Sequence, residues 1–172
     1  MRNALLQGLR PPLTEEPPAK DDPELVALAA TVGRAAERAL GRSLAIRHVD
    51  AGSCNGCELE IHALGNAFYD LERFGFRFVA SPRHADVLLV TGPVACNMRE
   101  ALKRTYDATP APKWVIASGA CAADGGVFAG SYAIAGGVSS VVPVDLVIPG
   151  CPPSPAALLK GLLALMSDGD AQ

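Results

Sequence analysis

No basic excess runs through this 172-residue chain, in which 15 Lys+Arg face 18 Asp+Glu for a formal net charge of −3. Nucleic-acid binders concentrate positive charge on one face, so nucleic acid is not an expected partner. Long hydrophobic runs are missing as well. Gly or Pro breaks each apolar stretch well short of the about 20 residues that cross a bilayer, and no membrane-spanning helix is expected. The opening MRNALLQGLRPPL has neither a sustained apolar segment nor a twin-Arg pair, so no export signal is read and the expected location is the cytoplasm. Neither G-x-G-x-x-G after a first strand nor a P-loop occurs. GPVACNM and GGVFAGS supply glycines without either pattern, which leaves nucleotide and flavin binding without a motif. A nucleophile elbow and a two-histidine zinc protease motif are absent too.

What is present is a packing sequence. Apolar residues make up 49% of the chain and mean hydropathy is +0.22, enough for one domain with a real core. Residues 1–23 carry five prolines and mixed charge and read as an extended N-terminal arm, with a single domain over 24–172. A helix is expected from Glu24 to Leu40, stopped by Gly41. Strands are expected over 43–50, 76–80, 85–92, 113–119 and 144–150. Helices are expected over 58–73, 95–107 and 154–166, the last capped by Ser154 with Pro155 in its first turn. Residues 125–140 read as irregular. This alternation indicates an α/β fold, a doubly wound and mostly parallel sheet with helices on both faces. One junction resists: residues 81–84 are too few for a helical crossover between parallel strands.

Five cysteines in a cytoplasmic chain are poor candidates for structural disulfides, and the odd count points the same way. Cys54 and Cys57 follow the first expected strand in GSCNGC. Cys121 follows the fourth in SGACAADGG, and Cys151 follows the fifth in PGCPPSP. In a parallel sheet the carboxyl ends of all strands share one edge, where ligand sites form. Thiols distant in sequence therefore converge without clustered spacing. Glycine beside each permits close backbone approach, and loop N–H groups can donate to inorganic sulfide. Cys54, Cys57, Cys121 and Cys151 are thus the candidate ligands of an iron–sulfur cluster. Zinc on four thiolates, in a scaffold or assembly module with no redox role, is the competing reading, although structural zinc sites usually bring two short paired motifs and only one is present. Cys96, at the start of a helix, is a fifth thiol that one cluster does not need.

The order CxGC, GAC, GCPP, with FGFRFVASPRHADVLLVTGPV and VPVDLVIPGCPPSPAALL between and after, resembles the complex I 20 kDa subunit family. It is most similar to the small subunit of membrane-bound, energy-converting [NiFe] hydrogenases of the formate hydrogenlyase type. The resemblance runs from about Ile46 to Met166. It implies a flavodoxin-like fold and one [4Fe–4S] cluster on the same four cysteines. It also implies electron transfer beside the active site of a large catalytic subunit, with a ferredoxin-like iron–sulfur subunit and membrane subunits as further partners. The complex would lie peripherally on the cytoplasmic side of the inner membrane. Complex I members carry adjacent cysteines at the first motif, whereas Cys54 and Cys57 here enclose two residues, which favours the hydrogenase branch. A quinone-module subunit of NADH-quinone oxidoreductase is the alternative. Either way the chain is one subunit of an oxidoreductase, without a complete active site of its own.

Glu58 and Glu60 flank the CxGC loop. Two residues apart, they cannot share a helix face, so at most one can face the cluster as a proton relay. His62 falls on the apolar stripe of its helix and reads as a core histidine. His48 and His84 are expected away from the cysteine edge, and Arg83 reads as a solvated charge.

Overall fold

The computed structural model describes residues 23–168, and the expected arm lies outside them except for Pro23. Helix α1 (Pro23–Leu40) ends at Gly41, whose φ of 64° is left-handed and whose N–H donates to Glu37 O at 2.8 Å. Strand β1 (Leu44–Asp50) leads into α2 (Gly56–Ala63), then β2 (Phe76–Phe78) and β3 (Val87–Thr91). A short β4 (Val94–Ala95) precedes α3 (Arg99–Ala108), β5 (Trp114–Ser118) and α4 (Ala120–Asp124). The chain closes with β6 (Ile134–Gly136), β7 (Leu146–Ile148) and α5 (Pro155–Asp168). Ser154 caps α5 by accepting from Ala157 N at 3.3 Å, with Pro155 opening the helix.

The main sheet has the order β2-β1-β3-β5-β7 and every pairing in it is parallel. Successive strand residues point to opposite faces, and both faces are covered. Val87 and Leu89 belong to a core shared with Ile61 of α2 and with Leu158, Leu159 and Leu162 of α5. Leu88 and Val90 belong to a second core with Leu102 of α3 and Ala122 of α4. That two-sided burial explains why β3 is apolar throughout, as a buried parallel strand must be. The connection over 81–84 is resolved by topology. β2 and β3 flank β1 on opposite sides, β2 is only three residues long, and a 3-10 turn (Pro82–His84) suffices to pass between them.

Four expectations need correction. The helix over 58–73 is only the eight residues of α2. Beyond it, Asn66 Oδ1 accepts from Phe68 N (2.8 Å) and Tyr69 N (3.0 Å), and this Asx turn breaks the helix before a 3-10 turn (Leu71–Phe74). The helix over 95–107 begins at Arg99, because Val94 and Ala95 pair antiparallel with Gly136 and Ile134. That ribbon also gives part of the stretch read as irregular a strand. His62 is exposed, because Ile61 and Leu64 occupy the face turned to the core.

The register decides where the chemistry goes. Asp50 pairs with Thr91, Thr91 with Ser118, and Ser118 with Ile148. These four residues form a level row along the carboxyl edge. Cys54, Cys121 and Cys151 stand four, three and three positions beyond its members.

Candidate metal centre

The first loop is tied down residue by residue. Asp50 Oδ1 accepts from Gly52 N and Ser53 N, each at 2.8 Å. Ser53 Oγ accepts from Asn55 N at 3.0 Å and donates to Glu58 Oε2 at 2.6 Å. Asn55 takes a left-handed φ of 72°, which asparagine tolerates better than most side chains, and its carbonyl accepts from Leu59 N at 3.2 Å. The chain thereby turns back so that Cys57 enters the first turn of α2, with its Sγ 3.8 Å from Ser118 O at the end of β5.

On the β5 side, Gly119 N donates to Ile148 O and Ala120 N to Gly150 O, both at 2.8 Å, which joins the Cys121 loop to the Cys151 loop. Two glycines are required by the sulfurs. A Cβ on Gly119 (φ +90°) would stand 2.9 Å from Cys57 Sγ, and one on Gly126 (φ +51°) 2.8 Å from Cys121 Sγ. Both are left-handed positions where any side chain would also strain the backbone.

The electrostatics place the four thiols in one field. Burial, reinforced by the charge of Glu58 and then by Cys121, Cys54 and Cys151, pushes Cys57 up to about 11. Burial likewise raises Cys121, helped by Cys151 and Cys54, while the Val127 backbone N–H opposes the rise. A cationic centre would offset that burial and favour the thiolate forms of Cys57 and Cys121. Among the described residues, no three His, Cys, Asp or Glu side chains are gathered as a site for one metal ion. Cys96 stands apart, exposed, with its Sγ 3.7 Å from Tyr132 O.

The two carboxylates separate. Glu58 is 6% exposed, with Oε2 held by Ser53 and Oε1 buried without a hydrogen bond, whereas Glu60 is half-buried. His48, expected away from the cysteine edge, reaches it: its Nε2 lies 3.5 Å from Glu58 Oε1 and 2.9 Å from Thr91 Oγ1. Burial lowers His48 from its ordinary value, outweighing the upward pull of Glu58 and Asp50. Ser53, Thr91 and His48 are the residues that sequence reasoning missed. A histidine two positions before the end of a strand leading into CxGC was the available signal. A cavity of about 530 Å³ at the other end of the sheet, lined by Arg34, Arg42 and Arg73, is remote from all of this.

The family model for the 20 Kd subunit of NADH ubiquinone oxidoreductase matches residues 54–165, from the first candidate ligand to the last turns of α5. The chain belongs to this family. Two relatives of the 20 Kd family chain are each 51% identical to it. One is the probable membrane-bound hydrogenase subunit mbhJ of Pyrococcus furiosus, matched over 124 residues, 72% of this chain and 74% of that protein. The other is formate hydrogenlyase subunit 7 of Escherichia coli K12, matched over 120 residues, 70% of this chain and 47% of that protein. The chain therefore covers less than half of the second relative. Among solved structures, a chain of the membrane-bound sulfane sulfur reductase, an archaeal respiratory membrane complex, superposes with a TM-score of 0.68 at 34% identity, covering 83% of this chain and 76% of that one. A chain of an NAD+-reducing [NiFe]-hydrogenase shares the fold, with a TM-score of 0.59 at 20% identity over 74% of this chain and 93% of that one.

Proposed function

We propose that this 20 Kd family chain is the iron–sulfur subunit of a membrane-bound [NiFe] hydrogenase complex of the formate hydrogenlyase type. Cys54, Cys57, Cys121 and Cys151 would hold one [4Fe–4S] cluster, which when bound would pass single electrons to or from the active site of a large partner subunit. The observation that carries this reading is the convergence of four thiols from three strand ends, with Gly119 and Gly126 kept bare against two of the sulfurs. Structural zinc sites usually bring two short paired Cys motifs, and only Cys54–Cys57 is such a pair here. The CxGC spacing and the two hydrogenase relatives favour this branch over the quinone-module subunit of NADH-quinone oxidoreductase.

The rim supports assembly with a large subunit. Leu59, two residues past Cys57, is 64% exposed, and Val127, whose N–H reaches Cys121, is 84% exposed. Phe128 and Tyr132 are exposed beside them. Apolar surface of this kind marks docking sites. No helix of the described residues is long and apolar enough to cross a membrane, so attachment would come through membrane subunits, with a ferredoxin-like subunit extending the electron path. The reading places the complex on the cytoplasmic side. Of the two carboxylates, Glu58 is the one held against the centre, and the relay role is assigned to it. Glu58→Gln should slow proton-coupled turnover while Glu60→Gln should not, and equal rates in both variants would remove the assignment.

The deciding experiment is anaerobic purification, with iron, sulfide and nickel analysis and with absorption and EPR spectra before and after dithionite. About four irons per chain and a signal that appears on reduction are expected. A colourless, zinc-containing protein would defeat the proposal in favour of the scaffold reading. Co-purification of a nickel-containing large subunit separates the hydrogenase branch from the others.

A further inference from the structure

Beside the centre, the sheet has an edge that its own strands leave open. β2 covers β1 only from Leu44 to Ile46, and Val79 N donating to Ile46 O at 2.9 Å is the last contact before the chain departs. β1 continues to Asp50 with β3 on its other side, so the outer edge of residues 47–50 has no strand beside it. A cavity of about 430 Å³ occupies the gap. Arg47 and His48 both line it, although successive strand residues point to opposite faces. A space touching both must wrap around the strand edge itself. Ile61 and His62 form one wall, and Phe78 and Val79 the other.

Two observations say what fills it. Arg47 Nε is buried and has no hydrogen-bond partner among the described residues, a deficit that calls for an acceptor. The Arg47 guanidinium also gives the slot a positive charge in a chain of net charge −3. Of the nearby carboxylates, Glu58 is held at Oε2 by Ser53 and faces His48 Nε2 with Oε1 at 3.5 Å, and Asp50 accepts from Gly52 N and Ser53 N. Phe78, 40% exposed, supplies an apolar contact. A free anion would meet the arginine and leave the strand edge bare, whereas an extended peptide meets both.

We propose that this slot receives an extended, carboxylate-bearing segment of a partner subunit, added as a strand beside β1. Backbone pairing along 47–50 supplies affinity, and an Asp or Glu side chain bridging Arg47 Nε and a terminal guanidinium nitrogen sets the register. The inference rests on the reading that the chain works inside a multi-subunit complex, and it names one of the contacts that holds it there.

The test uses the intact complex. Phe78 is replaced by a photoreactive benzoylphenylalanine, the complex is irradiated, and the crosslinked peptide is sequenced. One partner segment with an Asp or Glu within a few residues of the crosslink is expected. Arg47→Gln should lower the yield of assembled complex about tenfold or more, the scale of an interfacial charge pair cut on one side. Ala80→Glu, an exposed position on the slot wall, should do the same by repulsion without touching the core. Iron content and melting of the variant chains are measured alongside. Lost iron in the unmodified chain would defeat the cluster reading and leave this one standing. Crosslinks that are scattered, confined to lipid or absent, or assembly of Ala80→Glu at the normal yield, would overturn the slot.

Discussion

The two ends of the sheet are finished to different degrees. At the amino edge, the buried Asp86 carboxylate is held bidentately by Arg42 and also accepts from Ala45 N at 2.9 Å. Asp145 similarly accepts from Val115 N at 2.7 Å and returns its own N–H to Val115 O. At the carboxyl end, by contrast, lie two of the three buried side-chain atoms that lack a hydrogen-bond partner among the described residues, Glu58 Oε1 and Ser118 Oγ, while the third, Arg47 Nε, belongs to the middle of β1. The four candidate ligands and the exposed Leu59 and Val127 are there as well. One end satisfies its polar groups internally, while the other keeps donors, acceptors and apolar surface for what binds there. The fold is thus anchored from the amino side, and chemistry is free to vary at the opposite side.

Variants at each end should therefore fail differently. The largest effect is expected from Cys57→Ala or Cys121→Ala, which should remove nearly all bound iron and the associated visible absorption while the secondary structure, read by circular dichroism, persists. Arg42→Ala should do the reverse, lowering unfolding free energy by about 2 kcal/mol in denaturant titrations by leaving a buried carboxylate short of a partner, with iron content preserved. Should Arg42→Ala empty the centre as readily as a cysteine variant, the division between the ends does not hold. Gly119→Ala tests the crowding at Cys57 and should cost about 1 kcal/mol or more and lower the iron retained. Ser53→Ala should cost about 1 kcal/mol, read in the same titration, since it loosens only the loop around Glu58.

The smallest effect concerns pH. Burial holds His48 below its ordinary 6.5, so the unfolded chain takes up the proton more readily than the folded one. Stability should rise as pH climbs to about 6.5 and fall as acid passes below it, and His48→Gln should flatten that slope in melting curves taken across the range.

β3, β5 and β7 were legible in sequence because they are mostly apolar runs bounded by Gly, Pro or charged residues. Cysteine placement followed from strand direction alone. What failed to show was tertiary. The Val94–Ala95 ribbon depends on residues forty positions away, and no local pattern announces it. The overlong helix after Cys57 was a misread breaker, since Gly65 and Asn66 stand in plain view. His48 was dismissed by its position in a strand, although the loop from Asp50 folds back and carries Glu58 to it.

Because the centre draws on the ends of β1, β5 and β7, its last thiol, Cys151, is synthesised nearly a hundred residues after its first, Cys54. A chain emerging from the ribosome has no quartet to offer until the fifth strand of the sheet has docked. Any group held by all four thiols can therefore be enclosed completely only once Cys151 has joined the other three.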